Sequence, residues 1–235
     1  MSRWTVADVM TVGAISVEED APFKQIVDIL ELHGFNAVPV VDRSDRVVGL
    51  VSSADLVPKI EFAGLEDQHY LLENHRHRAA REKSTGTTAA ELMNAPAVTV
   101  LPRTSLPEAA KIMDTTGLKR MPVVDQLGRL AGMLTRSDLL KVFLRDDGDI
   151  RREIERQVLT DIVGVDPSQV RVEVDDGVVT LLGRLDRRSL IRPVARHVER
   201  VDGVVDVVND LAYDQDDTDN EPSTSPYTPT RYSGG

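Results

Sequence analysis

The sequence predicts an α+β protein: two tandem units ordered strand, helix, strand, strand, helix, then a smaller unit ordered helix, strand, strand, helix, strand, and an acidic tail. Three observations predict this. Thr5 to Val57 lies without a gap against Thr88 to Leu140, an offset of 83 residues that carries Pro39 onto Pro122, Gly49 onto Gly132 and Asp55 onto Asp138. Duplication at a fixed offset indicates like units that pack against one another. Residues 150–213 stand outside the repeat with periodicities of their own, and from Asp214 the chain turns acidic and then rich in Ser, Thr, Pro and Gly.

Each repeat opens on a polar-to-apolar segment, TVADVM or TAAELM, followed by a strand-like run, AISV at 14–17 or AVTV at 97–100. A helix comes next. In repeat one, Phe23, Ile26, Val27 and Leu30 recur at helical spacing after Pro22, and Gly34 is the stop. In repeat two, Ser105 and Glu108 form a capping-box pattern, Leu106, Ala109, Ala110 and Met113 share a face, and Gly117 ends the helix. Two short apolar runs follow, separated by the turn residues DRSD in one copy and QLG in the other, and a second helix begins near Ser52 or Thr135.

After Asp149, Ile150, Ile154, Val158 and Ile162 form a helical stripe, and Val170, Val172 and Val174 alternate as in a strand. Asp176-Gly177 is a hairpin signal leading into VVTLLG. A helix over about 187–200 has to accommodate Pro193, which requires a late start, and residues 203–213 read as a closing strand. The tail buries too little apolar surface to offset its ordering entropy. The chain thus divides into a first repeat (1–60), a polar, partly helical linker (61–87), a second repeat (88–146), a C-terminal unit (147–213) and a disordered tail (214–235).

Composition narrows the function. The net charge of -11 argues against a nucleic-acid partner, whose phosphates demand clustered Lys and Arg. The absence of cysteine removes disulfides, thiolate nucleophiles and Cys-ligated metals. The linker histidines His69, His75 and His77 are spaced so that a helix would scatter their rings, and they read as solvated, with no metal site. The N-terminus lacks the apolar core of a signal peptide and no run approaches a membrane span, so the expected compartment is the cytoplasm.

The candidate site is the repeated strand-to-helix junction. Gly49 to Asp55 and Gly132 to Asp138 share the form Gly, two apolar residues, Ser or Thr, two residues, Asp. Ser52 and Thr135 suit an N-cap, and Asp55 and Asp138 suit N3, so helix capping accounts for one such copy alone. An ionised carboxylate can also accept both hydroxyls of a vicinal diol. The copies differ nearby: repeat two has Arg136 and Lys119-Arg120 where repeat one has Ser53 and Asn36-Ala37. That difference predicts unequal occupancy, with Arg136 beside a phosphate.

Two junctions, each following a PVVD segment (Pro39 and Pro122), make residues 5–143 resemble the CBS domain family, whose tandem copies form a Bateman module. The resemblance implies β-α-β-β-α repeats packed about a pseudo-two-fold, with an adenosine-containing ligand such as AMP, ADP or ATP in clefts between them. It places the ribose-binding Asp at Asp55 and Asp138 and the Ser/Thr position at Ser52 and Thr135. It also places Ile15, Ser16, Val38, Val98, Thr99 and Met121 around adenine, positions that core packing explains equally well.

Residues 149–213 resemble the BON domain through DDGVVTLLGRL at 175–185 and VERVDGVVDVVNDL at 198–211. That family is linked to phospholipid or surface binding, and Arg184, Arg187, Arg188, Arg192, Arg196 and Arg200 gather here. The implied function is a non-catalytic sensor, requiring no cofactor, in which an adenine nucleotide alters packing, homodimerisation through the CBS modules, or coupling to the BON unit. The alternative is a ligand-independent dimeric scaffold whose BON unit meets a protein or an anionic membrane.

Overall fold

A computed structural model of the protein describes residues 4–61 and 83–218. The linker histidines and the tail beyond Thr218 lie outside the described residues. The chain divides after Val142 into two compact units.

In the first unit, repeat one contains α1 (Val6–Val9), β1 (Thr11–Val12), β2 (Val17–Glu18), α2 (Phe23–His33), β3 (Ala37–Val41), β4 (Val47–Ser52), α3 (Ser53–Leu56) and α4 (Pro58–Glu61). Repeat two contains α5 (Ala89–Leu92), α6 (Leu106–Thr116), β5 (Arg120–Val124), β6 (Leu130–Thr135) and α7 (Arg136–Leu139). The two long helices end where the glycines predicted: Gly34 and Gly117 adopt φ of 62° and 69°, a left-handed conformation open to Gly at little cost. Ser105 is the N-cap of α6, but its side chain makes no cap hydrogen bond and no box with Glu108 closes. The boxes close instead at Thr5/Asp8, Ser52/Asp55, Thr88/Glu91 and Thr135/Asp138, where the N-cap residue is extended near φ -115°.

The repeats exchange their openings. Val6 and Val9 of α1 are buried in the core of repeat two with Met113, Met121 and Leu134, while Ala89 and Leu92 of α5 are buried in the core of repeat one with Ile26, Val38 and Val51. Backbone pairing follows the same reciprocity. Thr5 bridges Ser105 as Thr88 bridges Pro22, and β1 pairs antiparallel with β6 as Asn94 bridges Leu50. The pseudo-two-fold passes through the Arg46–Arg129 bridge, flanked by Val47 N–H donating to Gly128 (3.0 Å) and Leu130 N–H donating to Asp45 (3.3 Å). A sequence-only reading assigned each opening to its own repeat. Four-residue helices cannot bury both apolar side chains alone, and exchange places them in a finished core.

The runs at 14–17 and 97–100 form less strand than expected. Val17 pairs with Val40 in a short parallel bridge and Val100 meets Val123, while residues 14–16 and 97–99 stay outside the sheets. These stretches are therefore available to face a cleft.

The second unit contains α8 (Asp147–Glu153), β7 (Val170–Asp175), β8 (Val178–Arg187), α9 (Ile191–Val198) and β9 (Asp206–Gln215), with β9 parallel to β8. α8 widens into π-helical turns over Ile154–Val163, and the wider turn breaks the predicted stripe. Ile150, Ile154, Val158 and Leu159 are buried, whereas Ile162 is 54% exposed. Asp176 and Gly177 both take positive φ, as the hairpin signal requires. α9 starts late, so Pro193 occupies its third position, where its missing N–H would have had no partner within the helix. β9 runs past the predicted boundary at 213. Asp214 and Asp216 pair with Arg184 (3.0 Å) and Arg188 (2.6 Å), and Asp217 accepts from the Ser189 hydroxyl (2.7 Å), which anchors the first acidic residues of the tail.

Candidate functional site

At the junction of β4 and α3, Asp55 folds back onto its own N-cap. Its Oδ2 accepts from the Ser52 N–H at 2.8 Å and from the Ser52 hydroxyl at 2.5 Å. Its Oδ1 accepts from Asn94 Nδ2 at 2.9 Å and from the Lys83 ammonium, which also donates to Asn94 Oδ1 at 2.8 Å. The four acceptor positions of this carboxylate are therefore filled. Burial pushes its pKa upward, but the Lys83 and Ser52 hydrogen bonds outweigh burial and hold it below the usual value, so it is ionised at neutral pH.

Asp138 repeats this at β6 and α7 with a different cation. Its Oδ2 accepts from the Thr135 N–H at 2.8 Å and hydroxyl at 2.7 Å, and its Oδ1 pairs with Lys141 at 2.7 Å. Burial again raises the pKa and the Lys141 and Thr135 hydrogen bonds again lower it further, leaving a net depression. Lys141 sits one turn away on the same segment and is 46% exposed, whereas Lys83 comes from a distant segment and is 17% exposed.

Two clefts lie between the repeats, each joining one junction to the opening segment of the other repeat. The wide cleft, about 590 Å³, is bounded by Ser52, Ser53 and Ala54 of repeat one and by Asn94, Ala97, Val98, Lys119 and Arg120 of repeat two. The narrow cleft, about 110 Å³, is bounded by Thr135 and Met133 of repeat two and by Thr11, Ile15, Phe35 and Pro39 of repeat one, with Arg120 again at its edge. Ala37 pairs with Ser52 across β3 and β4, and Arg120 pairs with Thr135 across β5 and β6. Ala37 and Arg120 each reach the walls of both clefts. Ligand pockets typically hold about 300–1,000 Å³, so only the wide cleft has nucleotide dimensions.

The expected site residues separate into several groups. Ser52, Ser53, Val98, Lys119 and Arg120 line the wide cleft, and Ile15, Pro39, Thr135 and Arg120 line the narrow one. Asp55 and Asp138 are buried behind Ser52 and Thr135 and do not themselves line the cavities. Val38 and Met121 are not cleft residues: both are fully buried in the two cores, because strand alternation turns them opposite to Pro39. Ser16, Thr99 and Pro122 are absent from both cleft walls. Arg136 lines neither cleft; its guanidinium donates to the carbonyls of Leu118 (2.8 Å) and Met113 (3.2 Å) at the end of α6.

Sequence reasoning missed Asn94, Lys83 and Lys141. Asn94 equals Thr11 in the repeat, so comparison of the copies gave no signal for it. Lys141 was accessible as the residue three positions after Asp138.

Residues 6–61 and 89–145 match the CBS domain. A CBS domain-containing protein of Dictyostelium discoideum is 30% identical over 140 residues, which cover 60% of this chain and 91% of that one. The chain belongs to the CBS-domain family. Residues 146–215 match the BON domain, so the CBS pair is followed by a BON domain. An uncharacterised protein of Methanopyrus kandleri is 29% identical over 110 residues, and the match spans 47% of that protein's length. Among solved structures, CBSX2 in complex with AMP superposes with a TM-score of 0.52 at 28% identity, covering 60% of this chain and 97% of that one.

Among the described residues no helix is long and apolar enough to cross a membrane. In the BON domain, Arg187, Arg192, Arg196 and Arg200 are exposed, while Arg184 and Arg188 are paired with Asp214 and Asp216.

Proposed function

We propose that the CBS pair is a non-catalytic sensor that binds an adenosine-containing ligand, with AMP as the first candidate, in the wide cleft. The single observation that carries this reading is the cavity of about 590 Å³, lined by Ser52 and Asn94 together with Lys119 and Arg120. Apolar walls at Leu50, Ala97 and Val98 suit a base, and the two cations suit a phosphate. The AMP complex of CBSX2 supports the same ligand class. Asp55 is the acceptor for the ribose diol, and Asp138 holds the equivalent position beside the narrow cleft. Occupancy changes the pairing of the repeats or of CBS modules in a homodimer, and the BON domain carries the response to a protein or anionic surface.

The scaffold reading is favoured by one observation: both carboxylates already have cationic partners within the chain. Calorimetry and thermal melting with AMP decide between them. The sensor reading expects one AMP per chain. At a hundred times the dissociation constant, ligand adds about 2.7 kcal/mol to stability, a shift of several degrees. An unchanged melt with AMP, ADP and ATP would leave the scaffold.

A further inference from the structure

Asp55 has no open acceptor position, and the group filling the last one is tied to a strap of chain. Lys83 donates to Asp55 and Asn94. Three residues on, the strap is held by a second lysine: Lys59 Nζ donates to Gly86 O at 2.7 Å and Ser84 O at 3.3 Å while lying 5.1 Å from the Phe23 ring centroid. Gly86 N–H closes the turn on Lys83 O at 3.1 Å. Oδ1 has two donors, the Asn94 amide and the Lys83 ammonium, so a diol that reaches it from the wide cleft has to take the place of one of them. Asn94 lines that cleft and bonds both Asp55 and Lys83, so the ligand wall and the strap meet at one amide.

We propose that Lys83 is an internal competitor for the ligand diol at Asp55, so that filling the wide cleft detaches the Lys83 end of this strap from the carboxylate. The inference rests on the adenosine reading of that cleft. It applies to one cleft only. Lys141 belongs to the segment next to Asp138, is 46% exposed and also holds Val9 O of α1 at 2.8 Å. The two copies of the motif therefore differ in partner as well as in volume: Lys83 reaches Asp55 from 28 residues away, and Lys141 reaches Asp138 from three.

The test uses the full chain with AMP as probe. Lys83→Met removes the competing cation while keeping the stem, and Lys83→Arg retains a cation. Calorimetry should show AMP binding about tenfold tighter to K83M than to the wild type, with K83R near the wild type. Hydrogen exchange at Gly86 and its neighbours should quicken on AMP addition in the wild type. In K83M it should be fast without AMP and insensitive to it. Unchanged circular dichroism and an unchanged stoichiometry establish that K83M is folded. Equal affinity, or weaker binding by K83M, overturns the competitor role and leaves the adenosine reading standing. Failure of AMP to bind either protein overturns the adenosine reading and the competitor role with it.

Discussion

Asp55→Asn should destabilise the CBS pair far more than Asp138→Asn, although the two aspartates occupy equivalent places. An asparagine offers one carbonyl oxygen and one NH2 group. If its oxygen faces the Ser52 donors, its NH2 group confronts Lys83 and Asn94, and the reverse orientation turns the NH2 group on Ser52. Lys83 is 17% exposed and cannot turn fully to water. Removing one member of such a pair costs about 3–5 kcal/mol. At Asp138 the oxygen can stay on Thr135, and Lys141, 46% exposed, is rescued by solvent. That substitution costs about 1–2 kcal/mol, the scale of a lost cap with a screened ion pair. The difference, about 2 kcal/mol, corresponds to roughly 4–8 °C in Tm for a unit of this size. Trp4 is the chain's only tryptophan and packs against the core of repeat two, so its fluorescence follows the CBS pair without signal from the BON domain. Equal losses from the two substitutions would refute the reasoning, because burial of the partner lysine would then not set the cost.

Acid should weaken the CBS pair in a defined window. Asp55, Asp138, Asp42 and Asp125 all have carboxyls lowered from 3.8, so the unfolded chain takes up protons first as the pH falls. Their stabilisation is fully present above the unfolded value and is lost as the pH falls through the depressed folded values; a melt followed by Trp4 fluorescence should decline below about pH 4. Arg120→Ala removes one of the two cations lining the wide cleft and should weaken AMP binding about tenfold. Calorimetry checks this, and an unchanged affinity would remove Arg120 from the phosphate position.

The repeat was legible because the spacing of Pro39/Pro122, Gly49/Gly132 and Asp55/Asp138 survives in full, and the glycines at 34 and 117 marked real helix ends. The exchange of α1 and α5 was not legible, since Val6 and Val9 show the same apolar pattern whichever core receives them. Ile162 was misplaced because its spacing fits an α-helix, and nothing local announces a π-helical turn. At the site, the Ser/Thr-x-x-Asp pattern identified the junctions, but the partner of Asp55 lies 28 residues away, beyond the reach of any periodicity. Arg136 was assigned to a phosphate from charge alone, whereas the end of α6 supplies carbonyls that claim its guanidinium.

Duplication explains why one cleft can differ from the other without loss of fold. The contacts that hold the repeats together come in reciprocal pairs: α1 with α5, Thr5–Ser105 with Pro22–Thr88, and the two backbone hydrogen bonds beside Arg46 and Arg129. None of these uses Ala37, Arg120 or Lys83, whereas Lys141 adds a bond to Val9 O of α1. The residues at the clefts and beside the carboxylates can therefore differ between the copies while the reciprocal pairing is kept. Symmetric packing thus supplies the stability, while the side chains that break the symmetry give one junction a largely buried lysine from a distant segment and the other a half-exposed lysine three residues away.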